Sequence, residues 1–198
     1  CLPAIIVGLA FHEYAHAWAA YRLGDDTAAR LGRLTLNPLP HLDPIGFLLL
    51  MLGGFGWAKP VPINPVRFNR KFTLRQGTAL VSLAGPAMNL LIAVVAAVGI
   101  RMILKSNNPV SFNGLLTILT PFVGINLGLM VFNLLPIPPL DGSKILASVL
   151  SYQQAEKYVY SMDKYGMIIL VLIVFSGFSR LILRPIVSII SQLLLGVG

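Results

Sequence analysis

LPAIIVGLAFHEYAHAWAAY, residues 2–21, is apolar along its length except for His12, Glu13 and His16. Its span matches the ~20 residues an α-helix needs to cross a bilayer, and Pro3 suits a first helical turn. Ionisable side chains inside such a run are costly and by default mark a functional position. Here they stand as H-E-x-x-H, a spacing that puts both imidazoles on one helix face, one turn apart, within reach of a single cation.

The rest of the chain has the same character. Of 198 residues 56% are hydrophobic and 11% charged, against roughly 25% charged in an average soluble domain. Further apolar runs cover Thr78 to about Ile100, Gly114 to about Leu135 and Gly166 to about Leu183, with an apolar tail from Pro185. The expected fold is therefore an all-α polytopic membrane protein, one helical bundle over residues 1–198. Ile45 to Ala58 is apolar but too short to span. Gly53 and Gly54 would weaken a helix where it turns back, so a re-entrant segment near the active site is expected, with a short interfacial or buried helix as the alternative. KPVPIN, residues 59–64, is held extended by its prolines, and Gly142 to Tyr165 reads as a surface helix.

The formal net charge of +8 comes from fifteen Lys and Arg residues that flank the apolar runs. They form no continuous basic stripe with interleaved aromatics, which argues against nucleic acid. Loops 22–44, 59–76 and 141–165 would share one side, assigned to the cytoplasm, whereas loop 101–113 faces outward despite Arg101 and Lys105. Cys1 is the single cysteine, so neither a disulfide framework nor a cysteine-bound metal is expected. The opening run has no basic residue before it and does not read as a secretory signal peptide.

H-E-x-x-H fits zinc, which binds neutral imidazole and in catalytic sites keeps three protein ligands and an open position for water. Glu13, next to the first imidazole, can take the proton of a water there, which is the division of labour of a metalloprotease. With so few His and Glu, a chance match is on the order of one in two thousand. The third ligand has several candidates. Glu156, Asp25, Asp26 and Asp163 lie in stretches that read as solvated. Asp141 stands out because it ends NLLPIPPLD, residues 133–141, where successive prolines break the preceding helix and turn the chain back; a helix N-cap is its structural alternative.

HEYAH in the first span, Gly85-Pro-Ala-Met-Asn89 in a middle span and Asn133-x-x-Pro136-x-Pro138-x-x-Asp141-Gly142 in a later one together resemble the site-2 protease family of intramembrane zinc metalloproteases, peptidase family M50. The likeness is to its small core type, without PDZ or CBS domain, and GWAKPVP, residues 56–62, also looks like family sequence. The resemblance implies His12, His16 and Asp141 as zinc ligands, Glu13 as general base, and membrane-spanning or membrane-adjacent proteins as substrates. It would be a multi-pass protein, in the cell membrane, with its active site toward the cytoplasm.

Asn89 and Asn133 are candidates for holding substrate backbone or an oxyanion, and equally for hydrogen bonds between helices. Lys59 to Asn64 could add a strand to an unwound substrate. His41 is read as loop-stabilising or cavity-lining, Asp43 as a turn former, and Gly85 and Gly128 as sites of close helix packing. A zinc transporter or sensor would use the His pair without Glu13 chemistry, and an inactive scaffold would need no intact Glu13.

Overall fold

The computed structural model describes residues 1–53, 56–106 and 108–196. Helix α1, Leu2–Arg22, carries Pro3 in its first turn. Gly24, at φ +103, turns the chain into the short helix α2, Thr27–Arg30. Asp25, fully buried, holds that turn by accepting from the Thr27 N–H at 3.0 Å and ties it to a distant loop through the Asn64 N–H at 2.6 Å.

Helix α3, Pro44–Gly53, occupies the first part of the expected re-entrant segment. Asp43 starts it by accepting from the Gly46 N–H at 2.8 Å, a turn-forming role. Gly54 lies outside the described residues, but the chain has reversed beyond it. A side chain on Gly56 would collide with the Gly46 carbonyl, and an antiparallel bridge pairs Leu42 with Ala58. Helix α3 thus lies against the returning residues 56–58, with Ile45, Leu48 and Leu52 exposed on it.

Helix α4, Leu74–Leu104, begins earlier than the apolar run because Thr73 and Gln76 form a capping box, satisfying two otherwise orphaned N–H groups. It packs against α5, Asn113–Asn133, through Ala93, Ala96, Ala97 and Ile100 on one side and Val123, Leu127, Met130 and Val131 on the other. The small residues on α4 let the two backbones approach. Gly128 takes no part, since nothing lies within 4 Å of where its side chain would be, which corrects its expected packing role.

After α6, Asp141–Val149, come α7, Tyr152–Phe175, and α8, Phe178–Leu195. These bounds differ from the expected surface helix over 142–165 and span over 166–183. Ser151 and Gln154 form a second capping box that starts a new helix, and Gly177, at φ +74, ends it. The apolar tail finds its place as α8, where Leu183, Val187, Ile190 and Leu194 pack on the α4–α5 core.

Among the described residues there is no strand, and three helices are long and apolar enough to cross a membrane: Leu74–Leu104, Val110–Asn133 and Tyr152–Phe175. Helix α1 has the expected bounds but is not one of these. His12, Glu13 and His16 lower its hydropathy, and Ala4, Gly8, Ala15 and Ala17 are buried within the protein. The loops expected to share one side do meet at one end of the bundle. The Asn69 N–H donates to Leu23 O at 2.6 Å, and the Arg75 guanidinium donates to Leu150 O at 2.6 Å and to Ala147 O.

Leu127 is fully buried between α4 and α5. Leu127→Ala should cost about 2–5 kcal/mol, the range for buried Leu truncations, seen as a lower midpoint of thermal unfolding in detergent. Leu193→Ala, at a site 73% exposed, should leave the midpoint in place.

Candidate metal centre

The C-terminal half of α1 presents His12 and His16 to α4, and each ring is fixed through its Nδ1. The His12 Nδ1–H donates to Asn89 Oδ1 at 2.6 Å, and the His16 Nδ1–H donates to Val81 O at 2.7 Å. Both acceptors are on α4, near Pro86, whose missing N–H removes a hydrogen bond from that part of the helix. In neutral rings held this way the lone pairs sit on the two Nε2 atoms.

Those atoms point at Asp141. The corner after α5 is tight enough that a side chain on Gly142 would collide with Leu134 O. The N-cap of α6 is Leu140, not Asp141, so the carboxylate is free to turn inward. Its Oδ2 lies 3.2 Å from His12 Nε2 and 3.1 Å from His16 Nε2, and the two Nε2 atoms are 2.9 Å apart. All three residues are about 95% buried.

Three electron-rich atoms facing one another with their lone pairs make a donor set for a cation. Donors around a tetrahedral zinc at 2.0–2.2 Å stand roughly 3.3–3.6 Å apart, so this triangle needs to open by only a few tenths of an ångström. Gly85 forms the wall behind it: a side chain there would meet His16 Nε2 at 2.5 Å and His12 Nε2 at 2.6 Å. The close approach expected of Gly85 is thus to the imidazoles.

The other acids have different partners. Asp25 is committed to Thr27 and Asn64. Asp26 pairs with Arg30 at 2.6 Å and with Arg67, and the Arg30 hydrogen bond holds its carboxyl below the ordinary value. Glu156 and Asp163 are exposed on α7. Among the described residues, His12, His16 and Asp141 are the group of His, Cys, Asp and Glu side chains that could hold a metal.

Glu13 is half-buried beside the site, and its Oε2 accepts from the Val61 N–H at 3.0 Å. Asn89 is fully buried, its amide accepting from His12 and donating to Gly8 O at 3.0 Å and to Asn126 Oδ1 at 2.9 Å; in this arrangement it positions the His12 ring. Asn133 donates to Leu129 O at 3.0 Å, one turn back on its own helix. His41 is a buried loop residue, donating from Nε2 to Thr35 O at 2.8 Å, which agrees with a loop-stabilising role.

Sequence reasoning missed Asn126, Val61 and Arg33. An amide within an apolar span was the available signal for Asn126. Val61 contributes a backbone N–H, for which its side chain gives no sign.

A family model described as peptidase family M50 matches residues 98–176. "Putative zinc metalloprotease YwhC" of Bacillus subtilis is 37% identical over 192 residues, covering 93% of this chain and 84% of that protein. "Putative zinc metalloprotease Rip2" of Mycolicibacterium smegmatis is 32% identical over 174 residues, 85% of this chain and 63% of that protein. "Putative zinc metalloprotease MJ0611" of Methanocaldococcus jannaschii is 29% identical over 145 residues, 73% and 68% of the two chains. No solved structure matches significantly.

Gly85→Ala should drive a methyl into the imidazoles and take bound zinc, measured by elemental analysis of the purified protein, well below one per chain. Gly124→Ala, where nothing lies within 4 Å, should leave it unchanged. Asn89→Ala should weaken zinc binding about 10–100-fold, as loss of a partner that orients a ligating His does.

Proposed function

The chain belongs to the site-2 protease family, peptidase family M50, and is a zinc metallopeptidase with helices long and apolar enough to cross a membrane; on that premise we propose that it hydrolyses peptide bonds of membrane-spanning or membrane-adjacent proteins within the membrane. His12, His16 and Asp141 hold the zinc, and Glu13 is the general base. The observation that carries the reading is the convergence of the three buried donor atoms within 3.2 Å beside Glu13.

Zinc held by these donors supplies Lewis acidity toward water and toward the scissile carbonyl. The chain's own residues do the rest. Glu13 has one oxygen engaged by the Val61 N–H, which leaves the other to take a proton from the attacking water. The same carboxyl then gives that proton to the departing amine, so Glu13 ends each cycle as it began. Burial of the three ligands keeps competing water away from their lone pairs, which favours a cation there.

A helical substrate must unwind before its peptide bond can be attacked, because its carbonyls are hydrogen-bonded within the helix. Lys59 to Asn64 supports a role in holding the unwound chain. It is free of helix and lies beside Glu13, anchored by the Lys59 N–H to His41 O at 2.8 Å and by the Asn64 N–H to Asp25. Asn133, with its amide oxygen not engaged by the Leu129 bond, is the remaining candidate for an oxyanion or substrate-backbone contact. The convergence of loops 22–44, 59–76 and 141–165 at the end bearing the ligands fits an active site toward the cytoplasmic face of the cell membrane.

Glu13→Gln separates the readings. It should keep its zinc and lose cleavage by about 10²–10⁴-fold, the usual worth of a general base. Proteomic comparison of membranes carrying wild-type or Glu13→Gln protein should show proteins cleaved only in the former. Equal cleavage by both would refute the assignment, and zinc flux retained by the Gln variant would instead indicate a transporter. Val61→Pro, which removes the N–H that Glu13 accepts, should lower cleavage at unchanged zinc content.

A further inference from the structure

Arg33 lies outside the donor triangle, yet it is 94% buried, at 6% exposure. Gly32, at φ +68, ends α2 in the left-handed conformation, and the Arg33 N–H donates back to Ala28 O at 2.8 Å; this turn aims the side chain inward. Its Nη2 donates to Lys59 O at 2.6 Å and approaches His41 Nδ1 at 3.5 Å, while Nε is buried without a hydrogen-bond partner. Among the described residues no carboxylate forms a salt bridge with it.

Burying a guanidinium without an ion pair costs stability, and apolar replacements of buried charges are often neutral or stabilising. A purely structural clamp on Lys59 O would need only a neutral donor. Burial pushes the Arg33 guanidinium below its ordinary value, and the Glu13 carboxylate pulls the other way. The hydrogen bonds complete the link. Arg33 grips the carbonyl of Lys59, and two residues along the same stretch the Val61 N–H grips Glu13. In an extended chain, residues two apart present their peptide groups to the same edge, so Arg33 and Glu13 line one edge of the 59–61 backbone.

We propose that Arg33 is a positioning residue for hydrolysis: it fixes the Lys59–Val61 backbone that orients Glu13 and sets a buried positive charge on the same edge of that backbone as the Glu13 carboxylate. The proposal rests on the reading of Glu13 as the general base. Held by an N–H on one oxygen and attracted by a fixed charge, the carboxylate has fewer orientations to sample before it meets the attacking water. Such preorganisation acts on the chemical step more than on substrate binding.

The test uses the full chain in detergent micelles with fluorescently labelled casein as the probe. Arg33→Gln keeps an N–H donor for Lys59 O and removes the charge; Arg33→Lys keeps the charge. For Arg33→Gln, kcat should fall about 10–100-fold with KM within about threefold, zinc content at the wild-type value and no lower midpoint of thermal unfolding. Arg33→Lys should recover most of kcat. Wild-type kcat in Arg33→Gln, a change confined to KM, loss of zinc or of thermal stability alongside the fall, or failure of Arg33→Lys to recover would each overturn the proposal. Glu13→Gln assayed in parallel distinguishes the two levels: if it still cleaves, the reading of the site itself fails, whatever Arg33 does.

Discussion

Three lone-pair-bearing atoms, His12 Nε2, His16 Nε2 and Asp141 Oδ2, lie within 3.2 Å of one another in a place that water hardly reaches. A cation satisfies such a set, and without one it is repulsive, so the fold must hold it together from outside. That burden falls on α4, which contributes no ligand. Asn89 and Val81 fix the two ring orientations, and Gly85 makes room for both rings. Asn126 on α5 and Gly8 on α1 in turn engage the Asn89 amide, so three helices meet in one buried hydrogen-bond network. A side chain on Gly8 would collide with Asn126 Oδ1 at 2.7 Å, which is why α1 keeps a glycine one turn before its first ligand. Every polar group in this network has its partner, the condition under which buried polarity makes a fold specific instead of weakening it.

What could be read in the sequence was what local spacing controls. H-E-x-x-H placed two ligands on one face because helix geometry alone does so, and the prolines before Asp141 announced a helix break. The ends of α7 were misplaced because hydropathy changes gradually across 142–183, whereas the real boundaries are set by the capping box at Ser151 and the left-handed Gly177. Asn89 showed the limit of residue-type reasoning: an amide in an apolar span has a partner, but only tertiary contacts say whether that partner is a substrate or a histidine. Arg33 was harder still, since a basic residue in a polar connector looks solvated until the chain turns it inward.

The loops are therefore as much a part of the site as the helices. Arg33, His41 and Asp25 are all buried, and each fixes a segment separated from it in the chain or turns its own loop. Together they hold residues 59–64 against the last turns of α1. An apolar bundle can bury three ligands, but it offers Glu13 no backbone donor, because helical N–H groups are already used. The N–H that Glu13 needs has to come from non-helical chain, and a segment rich in proline cannot be drawn into a helix that would consume it. Pro60 and Pro62 therefore do two things at once: they keep Val61 extended, and they leave its N–H as the donor available between them. The extended stretch beside the bundle follows from the chemistry as directly as the histidine spacing does.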